Sequence, residues 1–185
     1  MDLNVSEVIG GKSCPGCEEG HFKTLLIDLS QYTDDVSLRS FFHNARFKPG
    51  FRSVIWLRIC QHLYSTGATK LAMKVRIKIL KKYGLDFVPG ACVDVGLRIE
   101  HPVGIVIGKK SVIGKNVTIM QNVTIGQKYL TKGSKTDCPR IEDEVLIGAG
   151  ATILGKITIG RGSVIGAGSI ITKSVLPGQK VMGTH

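Results

Sequence analysis

The sequence predicts a mainly β protein built on a solenoid of short parallel strands, three to a coil, preceded by a small helical region. Two observations carry this. Isoleucine stands at 107, 113, 119 and 125, a step of six, and again at 141, 147, 153, 159, 165 and 171 with the same step. Glycine follows it at 108, 114, 126, 148, 160 and 166. A step of six matches neither the 3.6-residue period of an amphipathic helix nor the two-residue alternation of a half-buried strand. It matches a flat strand and a tight turn repeated, so that three hexads close a triangular coil of about 18 residues. The isoleucines then stack inward as columns, and glycine supplies backbone freedom at the corners. Small or β-branched residues fill most positions four after each isoleucine, among them Val117, Val123, Val145, Ala151 and Ser163.

The period breaks twice. The step from Ile125 to Ile141 is sixteen, and the polar, basic stretch Gln127–Asp137 must leave the coil as a loop, a common place for function on a rigid scaffold. Upstream, Val93 and Ile99 keep the step of six, but the next step, to Ile107, is eight. The two extra residues fall within Glu100–Gly104, so the coil bulges at His101.

The N-terminal part reads differently. Ser37–Tyr64 and Thr69–Tyr83 have helical spacing, Pro49-Gly50 marks a break, and Gly84 closes the second stretch. Residues 1–32 show no strong pattern. The expected organisation is an arm over 1–36, a helical region over 37–84 and the solenoid over 85–185, with a loop extruded at 127–138.

Composition narrows the function classes. The chain has 185 residues, 43% of them hydrophobic, which is ordinary for a globular protein. No apolar run approaches the length of a spanning helix. The N-terminus lacks the basic and apolar regions of a signal peptide, so a cytoplasmic location is expected. A formal charge of +11 favours anionic partners. Nucleic acid is not expected, because aromatic residues make up 6% and no base-stacking motif is present. Five cysteines without an export signal are expected as reduced thiols.

The hexad array, the segment Glu100-His101-Pro102-Val103-Gly104-Ile105-Val106-Ile107-Gly108 and the helix PGFRSVIWLRICQHL resemble the serine O-acetyltransferases of the hexapeptide-repeat superfamily. They also resemble shorter relatives that O-acetylate capsule and exopolysaccharide sugars such as colanic acid. The resemblance covers about 37–183. It implies a left-handed parallel β-helix, acetyl-CoA as acyl donor, no metal, and a homotrimer with active sites between adjacent subunits. It places the catalytic histidine at His101 and its aspartate partner fifteen residues earlier, at Asp86. A neutral imidazole is a suitable base for a hydroxyl attacking a thioester, and a carboxylate on its other nitrogen would fix the tautomer. The resemblance further assigns Gly126, Gln127, Ala149 and Ala167 to the pantetheine arm, and Lys173 to a CoA phosphate, where a point-charge lysine is apt.

The acceptor is read from departures. Serine enzymes close the loop with an R-H-P run that helps hold the amino acid's carboxylate, whereas here Asp137-Cys138-Pro139-Arg140 occupies the place. The aspartate before the catalytic histidine is Glu100. With Glu100, Asp137 and Cys138 as acceptor contacts, the expectation is transfer to a sugar hydroxyl of an anionic capsule or exopolysaccharide, or of its precursor. Serine acetylation for cysteine synthesis is the second reading, and a non-catalytic trimer the third.

Three further signals point less far. Cys14, Cys17 and His21 offer only three local ligands where a structural zinc needs four. A zinc carbonic anhydrase, which some left-handed β-helices are, needs three histidines, and the solenoid offers His101 and His185. The basic helix carrying Lys70, Lys74, Lys78, Lys81 and Lys82 invites peripheral membrane contact, though packing of its apolar residues on the solenoid end is the preferred reading.

Overall fold

The computed structural model describes residues 21–128 and 137–185. The Cys14–Cys17 motif and positions 129–136 of the loop lie outside the described residues.

Among the described residues, four helices precede the strands: α1 (His21–Ser30), α2 (Leu38–Phe47), α3 (Pro49–Ser65) and α4 (Thr69–Tyr83). The Ser37 hydroxyl accepts the Ser40 N–H at 3.1 Å and so caps α2. Pro49 opens α3 at a position where its missing N–H costs nothing. Gly84 ends α4 with φ 66°, the left-handed turn that glycine tolerates best.

Helix α1 is a departure from the unpatterned arm expected over 1–36. Its anchor is polar, which is why no apolar pattern announces it. Asp28, fully buried, takes two bonds from the Arg58 guanidinium at 2.8 and 2.9 Å. One of its oxygens also accepts the Gly96 and Leu97 N–H groups, at 2.8 and 3.0 Å. Arg58 donates onward to the Val93 and Asp94 carbonyls. One ion pair thereby ties α1 and α3 to the first coil.

The described residues contain fourteen short strands, which wind as a left-handed parallel β-helix with three faces. The first face carries, in order, β1 (Asp86–Phe87), β4 (Val106–Ile107), β7 (Thr124–Gly126), β10 (Thr152–Leu154) and β13 (Ile170–Ile171); the second β2 (Cys92–Val93), β5 (Val112–Ile113), β8 (Arg140–Ile141) and β11 (Thr158–Ile159); the third β3 (Arg98–Ile99), β6 (Thr118–Ile119), β9 (Leu146–Ile147), β12 (Val164–Ile165) and β14 (Lys180–Val181). Registers confirm the columns: Phe87, Ile107, Ile125, Ile153 and Ile171 stack on the first face. Ile99, Ile119, Ile147 and Ile165 stack on the third. Each phase isoleucine is 0–1% exposed. Burying one such side chain contributes roughly 1.5–3 kcal/mol.

The chain turns from the third face to the first at one stacked corner. Gly84, Gly104, Asn122, Gly150 and Gly168 occupy it, all with φ between 58° and 71°. The amides there climb coil to coil: Gly104 to the Gly84 carbonyl, Asn122 to Val103, Gly150 to Gln121, Gly168 to Ala149. Ile119 reaches its corner residue, Asn122, in three steps, but Ile99 needs five to reach Gly104. The two residues that do not fit are His101 and Pro102, and they bulge from the corner.

Helix α4 covers the first coil less completely than expected. Ala72, Ile79 and Tyr83 are buried, yet Leu71, Met73, Ile77 and Leu80 are 38–49% exposed. Only one side of the helix meets the coil, so its apolar residues do not all pack on the solenoid end. Cys92, in β2 (Cys92–Val93), is disulfide-bonded, which departs from the expectation of reduced thiols. Cys60 and Cys138 are free.

Candidate active site

His101 is exposed at the bulged corner and makes no hydrogen bond among the described residues. It lines a groove of about 820 Å³ with Glu100, Pro102, Val103, Lys48, Arg52, Lys82 and Tyr83. Three cations face one carboxylate there, so the groove favours an anionic group. Glu100 is ion-paired with Arg98 through one oxygen, leaving the other for a ligand.

The groove has two walls. One is the first turn of α3, set against the strand end at Gly50. A Cβ on Gly50 would collide with the Ile99 carbonyl, so only glycine lets the helix seat there. That contact holds Arg52, two residues on, beside Glu100 and His101. The other wall is the end of α4. Tyr83 is 8% exposed, and the Gly84 carbonyl accepts the Gly104 N–H at 3.0 Å, linking this wall to the bulge.

Asp86 is engaged elsewhere. It pairs with Val106 in the β1–β4 register and receives both Nε and Nη2 of Arg76, at 2.6 and 2.9 Å. No hydrogen bond joins it to His101. The pairing expected between them is absent in the single chain because Arg76, on α4, reaches the carboxylate first.

The remaining candidates divide between the two edges of the sheet β1-β4-β7-β10-β13. Ala149 and Ala167 stack on the His101 corner, two and three coils beyond Val103. At about 4.8 Å per coil they stand roughly 10 and 14 Å along it. Gly126, Gln127 and Lys173 lie at the opposite edge. There Gly126, Gln127, Lys109, Lys110 and Cys138 line a second groove of about 330 Å³. Asp137 precedes Cys138 there. Glu100 on one side and Asp137 and Cys138 on the other therefore do not form one acceptor site within a chain. The Cys138 Sγ–H donates to the Lys109 carbonyl at 2.9 Å, and burial pushes its thiol above the ordinary range, which opposes a nucleophilic role.

Among the described residues no group of three His, Cys, Asp or Glu side chains is placed to hold a metal ion, and no helix is long and apolar enough to cross a membrane. The sequence reading missed Arg52, Tyr83 and Arg76. Pro49-Gly50 was visible as a break, but the seating of Gly50 on a strand 49 residues away was not.

Comparison with known proteins bears on the family and on the acceptor. Residues 138–173 match the family of bacterial transferase hexapeptide (six repeats), and residues 95–128 match the hexapeptide repeat of succinyl-transferase. The serine acetyltransferase of Salmonella typhimurium is 34% identical over 134 residues, covering 72% of this chain and 48% of that one. The chain spans from 38% to 62% of the length of the curated relatives it matches. The crystal structure of Neisseria gonorrhoeae serine acetyltransferase in complex with serine superposes with a TM-score of 0.78 at 31% identity, over 96% of this chain and 70% of that one. That of Brucella abortus serine acetyltransferase in complex with coenzyme A gives 0.78 at 31%, over 88% and 65%.

These findings overturn the saccharide reading and give no support to a capsule or colanic acid subgroup; the relatives are serine acetyltransferases. Asp137, which weighed most toward a sugar, does not line the groove at His101; it neighbours Cys138, which lines the chain's other groove. The chain belongs to the hexapeptide-repeat acyltransferases, as a homologue of the serine acetyltransferases.

Proposed function

We propose that the chain is an acetyl-CoA-dependent serine O-acetyltransferase with His101 as general base. The support comes from one observation above others: the bulge presents an unpartnered imidazole in a groove that carries both a carboxylate and cations, in a fold shared with serine acetyltransferases. A serine zwitterion needs both signs of charge. A sugar hydroxyl needs neither.

The chemistry is direct transfer. The serine hydroxyl oxygen bonds to the thioester carbonyl carbon while the His101 imidazole takes its proton. The tetrahedral intermediate then breaks its C–S bond. The imidazolium returns the proton to the departing sulfur, giving O-acetylserine and CoA. No acyl-enzyme is needed.

In this reading Ala149 and Ala167 border the path of the pantetheine arm on the His101 edge, and small side chains there leave the backbone accessible. Gly126, Gln127 and Lys173 serve CoA from the opposite edge, Lys173 toward a phosphate. The two edges lie on different corners of one prism, so one CoA uses both only if two chains stand side by side. A homotrimer supplies that arrangement three times.

The test is CoA release from acetyl-CoA with and without L-serine, in wild type and His101→Ala. Serine-stimulated release that falls at least about 100-fold in the variant is expected. No stimulation by serine overturns the proposal.

A further inference from the structure

The His101 groove holds donors that the single chain does not use. Among the described residues, Arg52 Nε is buried without a hydrogen-bond partner, and so is the hydroxyl of Tyr83, a side chain more than nine-tenths buried. Buried donors of this kind are paired in nearly all native proteins, and an orphan calls for an explanation. Both residues line the groove that contains Glu100 and His101. Neither is placed by chance: Gly50 seats the first turn of α3 on the Ile99–Glu100 backbone, and Gly84 turns the end of α4 into the same corner. The two donors are also neighbours. Burial pushes the Tyr83 phenol up, and the Arg52 charge is close enough to pull against that shift.

The geometry points to a carboxylate-binding subsite formed by Arg52 and Tyr83, which holds the α-carboxylate of the acceptor while Glu100 takes its ammonium and His101 its hydroxyl. This rests on the serine reading above and explains how the chain holds serine with an aspartate at 137. A guanidinium presents donors in a fork that fits a carboxylate, and a phenol adds one short bond to the same oxygens. Lys48 and Lys82, both exposed on the rim, raise the local potential without fixing geometry. Opposite charges within one groove orient the amino acid, which leaves its hydroxyl toward the imidazole.

The experiment compares L-serine with L-serinamide, which keeps the ammonium and the hydroxyl but lacks the carboxylate. In wild type, kcat/KM for serine is expected to exceed that for serinamide roughly 10- to 100-fold. Arg52→Met collapses that ratio toward one, mainly through the serine KM, with the acetyl-CoA KM little changed. Arg52→Lys recovers part of the ratio. Tyr83→Phe, which removes only the hydroxyl and guards against misfolding of the arginine variants, lowers the ratio about 3- to 10-fold. Wild type that acetylates serine while Arg52→Met and Tyr83→Phe keep the full ratio overturns the subsite alone. Wild type with no serine turnover overturns the serine reading and the subsite with it.

Discussion

Replacing Arg58 by methionine removes one partner of a fully enclosed ion pair. Arg58 is 6% exposed and Asp28 0%. The guanidinium donates two bonds to Asp28, one to Gln61 at 3.1 Å, and one each to the Val93 and Asp94 carbonyls at 2.7 and 2.6 Å. Methionine has similar length but offers no donor. Asp28 would keep its bonds from Gly96 and Leu97 and lose its counter-charge. Val93 would keep a bond from Gln61 at 3.0 Å, while the Asp94 carbonyl would lose its side-chain partner. An uncompensated buried charge of this kind costs about 3–5 kcal/mol. For a chain of this length each kcal/mol is about 2–4 °C, so Tm should fall by roughly 6–20 °C. The assay is thermal and urea unfolding followed by circular dichroism at one protein concentration, because association would shift Tm by mass action. Adding Asp28→Asn to Arg58→Met should recover about 1–2 kcal/mol, since the orphaned charge is then gone. A loss under about 1 kcal/mol for Arg58→Met, or a second substitution that only adds to the loss, would refute the claim that this pair ties the helices to the first coil.

Three other outcomes follow from the same structure. Ile147→Ala, in the middle of the column between Ile119 and Ile165, should cost about 2–5 kcal/mol in urea unfolding, and Ile147→Val about 0.5–1.5. Burial pushes the Cys60 thiol up to about 11 from 9.0, so between those values the unfolded chain loses the proton first and stability falls as pH rises; Cys60→Ala should flatten that decline in denaturation curves taken from pH 8.5 to 11. Asp86→Asn should lower kcat less than about 10-fold, against at least about 100-fold for His101→Ala, because Arg76 rather than His101 holds Asp86; equal losses would restore the expected histidine–aspartate pair.

Much of the solenoid was legible because its physics is local and periodic. Every phase isoleucine from 107 to 171 sits in a strand and is buried, and the eight-residue step placed the bulge at His101. The helix ends at Pro49 and Gly84 were legible for a similar reason, since proline and glycine act on their own backbone. What escaped depends on distant partners. Helix α1 is anchored by an aspartate whose partner lies 30 residues away, so a polar residue does the work of a core residue without an apolar pattern. The resemblance pairs Asp86 with His101, but Arg76, ten residues before it on another element, takes the carboxylate. Arg52 and Tyr83 enter the groove because of close packing at Gly50 and Gly84, and a sequence shows such glycines without showing what they touch. The acceptor expectation rests on Asp137-Cys138-Pro139 standing where the serine enzymes have R-H-P, and a sequence shows the arginine lost there without showing Arg52 beside Glu100.

Identification of the product tests the central claim most directly. Purified chain, acetyl-CoA and L-serine would be incubated and the mixture followed by proton NMR, which separates O-acetyl-L-serine from acetate. The account predicts O-acetyl-L-serine forming in step with free CoA, and its loss in His101→Ala. Acetate alone, or CoA release with serine recovered unchanged, would contradict it.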